Sequence, residues 1–147
     1  MLRVPLHQLD TGLPVPGYAR EGDAGADLIA RTDAVLACHG GRAVVPTGLV
    51  VAIPAGYAGL VLPRSGLAVR HGVTCLNAPG LVDSGYRGEL RVVLVNHDPE
   101  HDYAVSRGDR IAQLVLVRVE EAGFDLVPED GLGGSERGRG GFGHTGT

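Results

Sequence analysis

Apolar residues fall in short runs, each stopped by proline, glycine or a charged turn. "AVVPTGLVVAIP" (43–54) holds two runs divided by Pro46 and Gly48. "AGLVLP" (58–63) and "VTCLN" (73–77) follow, and "ELRVVLVN" (89–96) and "RIAQLVLVRVE" (110–120) are the longest. Valine, isoleucine and leucine dominate, and β-branched side chains favour strands. In "QLVLVRV" (113–119) both alternation classes are apolar until Arg118. That pattern predicts a strand covered on both faces, in a sandwich core or at a subunit interface. Turn signals recur at "PAG" (54–56), "RHG" (70–72), "DSGYRG" (83–88), "HDPEHD" (97–102) and "SRGD" (106–109). Short strands at such spacing predict a β-sandwich or barrel. One short helix is predicted at "RSGLAVR" (64–70), with Ser65 as its N-cap. From "PEDGLGGSERGRGG" (128–141) onward the core pattern stops. The expected organisation is an all-β body over 1–128 and a flexible glycine-rich arm over 129–147.

Composition narrows the function classes. The chain has 147 residues, 44% hydrophobic but only 4% aromatic, so an aliphatic core is expected. The formal net charge of −4 argues against a nucleic-acid-binding surface, which is normally basic. No apolar run approaches the ~20 residues of a membrane helix, and "MLRVPLHQLD" has no signal-peptide pattern. A cytoplasmic protein that binds neither membrane nor nucleic acid is expected. All 13 basic residues are arginine. A Walker A loop and a Schiff-base lysine are therefore excluded. Each arginine is also a weaker signal, because arginine fills every surface basic position. Cys38 and Cys75 fit no CxxC pattern and read as buried or idle reduced thiols. His97 and His101 are four apart with Pro99 between them, which suits exposed loops better than one zinc on a helix.

Several stretches carry candidate chemistry, and each has a plain structural alternative. "PRSGLA" (63–68) is either a nest of N–H groups for phosphate oxygens or an ordinary capped turn. "NAPGLVDSGYRGELR" (77–91) puts Asn77, Asp83, Tyr86 and Arg87 in one hairpin-like segment. It is either a small polar ligand pocket or an Asx-turn beside an aromatic. In "RGDRIAQLV" (107–115) Asp109 and Arg110 predict an ion pair, and Gln113 inside an apolar run needs a partner from backbone or ligand. In "EGDAGADLIA" (21–30) Asp23 and Asp27 suit either Mg²⁺ or turns.

Taken in order, "AGADL", "PRSGLA", "GLVDSGYRGEL", "RGDRIAQLV" and "RGRGGFGHTG" resemble the five motifs of the trimeric dUTP diphosphatases, the dUTPases, and span 24–146. The glycine-rich "EDGLGGSE" (129–136) before the tail resembles the actinobacterial branch, and the lysine-free composition suits a GC-rich genome. The resemblance implies a jelly-roll fold and a homotrimer with active sites shared between subunits. It implies Mg²⁺-assisted hydrolysis of dUTP to dUMP and pyrophosphate, which keeps uracil out of DNA and supplies dUMP for thymidylate synthesis. Asp83 matches the catalytic carboxylate that activates water. Arg64, Ser65 and Gly66 match the phosphate-cradling turn, and Gln113 a phosphate-contacting glutamine. Asn77 and the backbone from 77 to 86, Leu81 and Val82 included, match the uracil slot. Tyr86 matches the residue under the deoxyribose, and Arg91 a basic residue at the nucleoside pocket. Asp27 matches the carboxylate that holds Mg²⁺ through water, the ion being held mainly by the triphosphate. Arg137 matches the arm's γ-phosphate contact, Phe142 the ring stacked on uracil, and Gly143 and His144 the end of that arm. His144 departs from the family, which usually has serine there. A dCTP deaminase, a bifunctional deaminase–dUTPase and a non-catalytic regulatory protein share the fold and are the alternatives. The "YRGEL" segment and the intact arm favour dUTPase.

Overall fold

The computed structural model describes residues 1–140. Eleven strands and one short α-helix build it, as an all-β sandwich of jelly-roll type. The strands are β1 (Leu6–Gln8), β2 (Ala26–Ile29), β3 (Ala34–Leu36), β4 (Arg42–Pro46), β5 (Leu49–Val51) and β6 (Tyr57–Leu62). After the helix α1 (Ser65–His71) come β7 (Val73–Cys75), β8 (Gly80–Val82), β9 (Arg91–Asn96), β10 (Tyr103–Val105) and β11 (Arg110–Arg118). Each long apolar run of the sequence became a strand.

Two larger antiparallel sheets, β2-β11-β6-β8 and β4-β9-β7, are joined by the ribbons β1-β5 and β3-β10. Leu28, Val61 and Leu114 from the first sheet share one buried cluster with Val45, Val92, Leu94 and Val73 from the second. Burial of each such aliphatic side chain contributes about 1.5–3 kcal/mol. Asn96 is fully buried, and its amide is satisfied on both ends: Nδ2 donates to Leu36 O and His101 O, and Oδ1 accepts from Asp98 N. Cys75 is buried too, and burial pushes its thiol up to about 11, so it holds no thiolate at neutral pH.

Three expectations are corrected. Ser65 is not the N-cap of α1. Arg64 holds that position in extended geometry and makes no side-chain cap, so Ser65 is the first helical residue. Asp109 does not pair with Arg110. It closes its own turn by accepting the Ser106 N–H at 2.8 Å, while Arg110 reaches β2. The 77–91 segment is not a hairpin either. β8 pairs with β6 in one sheet and β9 with β4 and β7 in the other, so the chain crosses between sheets at 83–90. That crossing opens a space beside residues 81–91 which a hairpin would fill.

On β11, Leu114 is buried inside, while Gln113, Val115 and Val117 on the opposite face are only half-covered. Beyond Arg118 the chain leaves the sheets, and Phe124, Leu126 and Leu132 stand almost fully exposed.

Candidate active site

Two cavities hold most of the predicted residues. The first, about 200 Å³, is lined by Leu81, Val82, Asp83, Tyr86, Leu90 and Arg91. Five of these six were expected from the sequence. Leu90 was missed; it is a buried apolar residue at the back of the pocket, and nothing in its sequence context marks it as a contact. Tyr86 Oη donates to Glu89 O at 2.9 Å, and the Tyr86 N–H donates to Asp83 O at 3.1 Å. These two bonds fold the 83–89 loop into a compact turn. A side chain at Gly88 would run into the hydroxyl end of the Tyr86 ring, which packs against bare backbone there. The Asp83 side chain is exposed and has no hydrogen-bond or ion-pair partner among the described residues.

β8 forms one wall of this region. It bonds β6 on one side only and is the last strand of its sheet. Its other edge therefore presents backbone N–H and C=O groups in strand geometry to whatever lies beside it. Asn77 sits on the turn leading into β8, with its amide against Gly80.

The second cavity, about 330 Å³, is lined by Asp23, Gly25, Asp27, Arg64, Arg110 and Gln113 among others. Sheet register assembles it. Gln113 stands opposite Asp27 on one neighbouring strand and Leu62 on the other, two residues before Arg64. Directly opposed residues share a face, so three separate motifs meet here. Asp27 is held between arginines, Oδ1 3.3 Å from Arg64 Nε and Oδ2 3.3 Å from Arg110 Nη1. Arg110 is half exposed, and its pairing contributes no more than ~1 kcal/mol. The Arg64 Nε–H is buried and donates no hydrogen bond to any of the described residues, although Asp27 Oδ1 lies 3.3 Å away. It is a preplaced donor for an anion. The N–H groups of Ser65 and Gly66 also take part in no hydrogen bond among the described residues.

Arg110 and Gly25 were not among the expected site residues. A Cβ at position 25 would lie 2.8 Å from Gln113 Oε1 and 3.0 Å from Gln113 Cβ, so the glycine makes room for the glutamine. The "AGADL" motif was the available signal for it. Asp23 makes a turn by accepting the Arg20 N–H at 2.8 Å.

Within one chain the two cavities share no lining residue. Arg137 is in neither; it is exposed and its Nε donates to Gly140 O within the arm. Phe142, Gly143 and His144 lie outside the described residues.

Comparison with known proteins gives one answer. A family model described as dUTPase matches residues 12–146. The deoxyuridine 5'-triphosphate nucleotidohydrolase of Thermobifida fusca is 57% identical over 99% of this chain and 79% of its own length. That of Corynebacterium glutamicum is 51% identical over 97% of this chain and 94% of its own. Among solved structures, the Staphylococcus bacteriophage 80alpha dUTPase with dUPNHPP superposes with a TM-score of 0.87 at 27% identity, covering both chains fully. A dUTPase from phage phi11 of S. aureus, described with a structural Mg(II) ion, superposes at 0.78 with 25% identity over 87% of this chain and 98% of its own. The agreement of motif order, fold and overall sequence over nearly the full length admits one conclusion: this chain belongs to the dUTPase family.

Proposed function

We propose that this chain hydrolyses dUTP to dUMP and pyrophosphate in a homotrimer, each site built from the nucleoside cavity of one subunit and the phosphate cavity of another. The observation that carries this is the first cavity, where an unpartnered carboxylate, a tyrosine and an edge strand converge. The edge of β8 offers donors and acceptors that match uracil N3–H and O4 and mismatch cytosine. A mismatch there buries polar groups without partners, at about 1–3 kcal/mol each. Tyr86, packed against Gly88, lies under the deoxyribose and leaves no room for a 2′-hydroxyl.

Asp83 accepts a proton from a water as that water's oxygen bonds to the α-phosphorus. The bond from that phosphorus to the α,β-bridging oxygen breaks, and pyrophosphate leaves with the bond's electron pair. Arg64 Nε–H, the N–H groups of Ser65 and Gly66, Gln113 and, from the arm, Arg137 meet the phosphate charge. Phe142 stacks on the base, and Gly143 and His144 follow it over the site.

Mg²⁺ fits this chain in an outer role. No group of three or more His, Cys, Asp or Glu side chains among the described residues can hold a metal directly. The Asp27 carboxylate lines the phosphate cavity and would help to hold the ion there beside the triphosphate. When bound, the ion withdraws charge from the phosphates and fixes their conformation.

The separation of the two cavities within one chain supports shared sites. So do the half-covered outer face of β11 and the exposed Phe124 and Leu126, which a neighbouring subunit would cover. The arm, 129–147, is then the segment that crosses to a neighbour's site. No helix among the described residues is long and apolar enough to cross a membrane, which is consistent with a cytoplasmic protein.

The test is pyrophosphate release from each dNTP and UTP, with and without Mg²⁺, with ammonia release from dCTP as control, and sedimentation for the trimer. Strong preference for dUTP is expected. Equal turnover of dCTP, or a fully active monomer, would contradict the reading.

Gly25→Ala tests the phosphate half. The new methyl must push Gln113 off its seat, because Gln113 Cβ is fixed to the strand. An overpacking cost of about 1–3 kcal/mol is expected, with kcat/KM for dUTP falling about ten-fold or more. Melting curves and steady-state kinetics check it, and unchanged kcat/KM would remove Gln113 from the site.

A further inference from the structure

Glu89 is not among the site residues expected from the sequence and does not line the nucleoside cavity itself, yet it holds two residues that do, Tyr86 and Arg91. Its side chain is only 12% exposed. Oε1 accepts the Gly48 N–H at 2.8 Å and pairs with Arg31 Nη1 at 3.3 Å. Oε2 lies 3.7 Å from Arg91 Nε. Its main-chain oxygen accepts the Tyr86 hydroxyl. The next residue is stapled to the same corner: the Leu90 N–H donates to Leu49 O at 2.7 Å, and Leu90 O accepts Thr47 N and Oγ1.

We propose that Glu89 is a positioning residue that sets Tyr86 and Arg91 against each other across the nucleoside cavity. The 83–90 loop crosses between two sheets and carries no strand pairing of its own. Its geometry therefore depends on where its last residues are pinned. The Glu89 carboxylate pins them to the turn between β4 and β5 through Gly48, and to the end of β2 through Arg31. Pinning the main chain at 89 fixes the acceptor that holds Tyr86. The same carboxylate is the polar partner of Arg91 among the described residues, and the Arg91 side chain is otherwise 62% exposed. Without it a long, solvated side chain samples many rotamers, and substrate must order it on binding. Glu89 does not touch the reacting atoms; it acts through Tyr86 and Arg91.

The inference rests on the dUTPase reading of the cavity, and the experiment separates the two. Glu89→Gln keeps the volume and an oxygen for Gly48 N–H but removes the charge that holds both arginines. Kinetics on dUTP and UTP are compared for wild type, E89Q, R91Q and the double variant. In E89Q, KM for dUTP is expected to rise about ten-fold with kcat changed less than about two-fold, and the dUTP-to-UTP selectivity ratio to narrow. The double variant is expected to be little worse than R91Q, because both changes remove one shared arrangement. A lowered melting temperature with KM and selectivity unchanged, or fully additive effects, would make Glu89 merely structural. If E89Q does not fold, Arg31→Gln removes the outer anchor of Glu89 together with the pairing of Arg31 to Asp10; the same shift in KM and selectivity is then expected, and its absence overturns the proposal. If wild type itself does not prefer dUTP over UTP, the functional reading fails rather than this one.

Discussion

Asp83→Asn is expected to bind substrate and lose turnover by about 10²–10⁴-fold, the usual contribution of a positioned general base. The substitution is nearly isosteric. The carboxylate is exposed and has no partner among the described residues, so the fold does not depend on its charge. The Asp83 contribution to the loop is its main-chain oxygen, which accepts the Tyr86 N–H and survives the change. Stability is therefore expected to move by no more than about 0.5 kcal/mol. An amide oxygen is a far weaker base than a carboxylate, and the attacking water keeps its proton. Single-turnover kinetics give the chemical step, calorimetry with an α,β-imido analogue of dUTP gives binding, and a melting curve controls for folding. Near-normal turnover with intact binding would mean that another group takes the proton.

Of the first cavity, Asp83 and Tyr86 stood out in the sequence because they share one short polar segment, while Leu81, Val82 and Arg91 came from the resemblance to a family. Leu81, Val82, Asp83, Tyr86 and Arg91 fall within one short segment, and the crossing between sheets turns that segment around a single space. The phosphate cavity draws on residues 27, 64 and 113, and only strand register brings them together. Their residue types alone left turns and ion pairs as equal readings; the resemblance to a family supplied the roles. What stayed hidden has physical reasons. The ribbons β1-β5 and β3-β10 are three residues per strand, too short to show an alternation, and their partners are distant in sequence. Arg110 sits beside Asp109 in the chain, but a register shift between Arg110 and Ala112 accompanies its pairing with β2, and it meets Asp27 instead. Glu89 reads as one more surface acid in "YRGEL" until Arg31, from far upstream, is seen to face it.

Removing residues 137–147 is expected to leave a folded trimer that has lost most of its activity. Five of these eleven residues are glycine and Phe142 is the one large apolar side chain, so the deletion removes little that a core could use. The hydrogen bonds that the chain from 120 to 140 makes with described residues, past the Val119 N–H bond to Gly56 O, stay inside that segment. Arg137 bonds Gly140, and Arg139 pairs with Glu129. The body therefore keeps every strand pairing and the whole buried cluster. Catalysis is a different matter. On the proposed reading, the deletion takes Arg137 from the leaving pyrophosphate, where a charge-assisted contact would strengthen as negative charge develops. On the same reading it also removes the Phe142 ring proposed to stack on uracil, a contact of about 1–3 kcal/mol. It also leaves the site open to water, which weakens the remaining contacts of Arg64 and of the Ser65 and Gly66 N–H groups with phosphate. These losses compound, so the truncated enzyme is expected to fall below either Arg137→Ala or Phe142→Ala, by about 10²-fold or more in kcat/KM. Sedimentation and melting temperature report the body, and pyrophosphate release reports the chemistry. Turnover of dUTP at the wild-type rate by the truncated trimer would show that "RGRGGFGHTGT" has no part in the site.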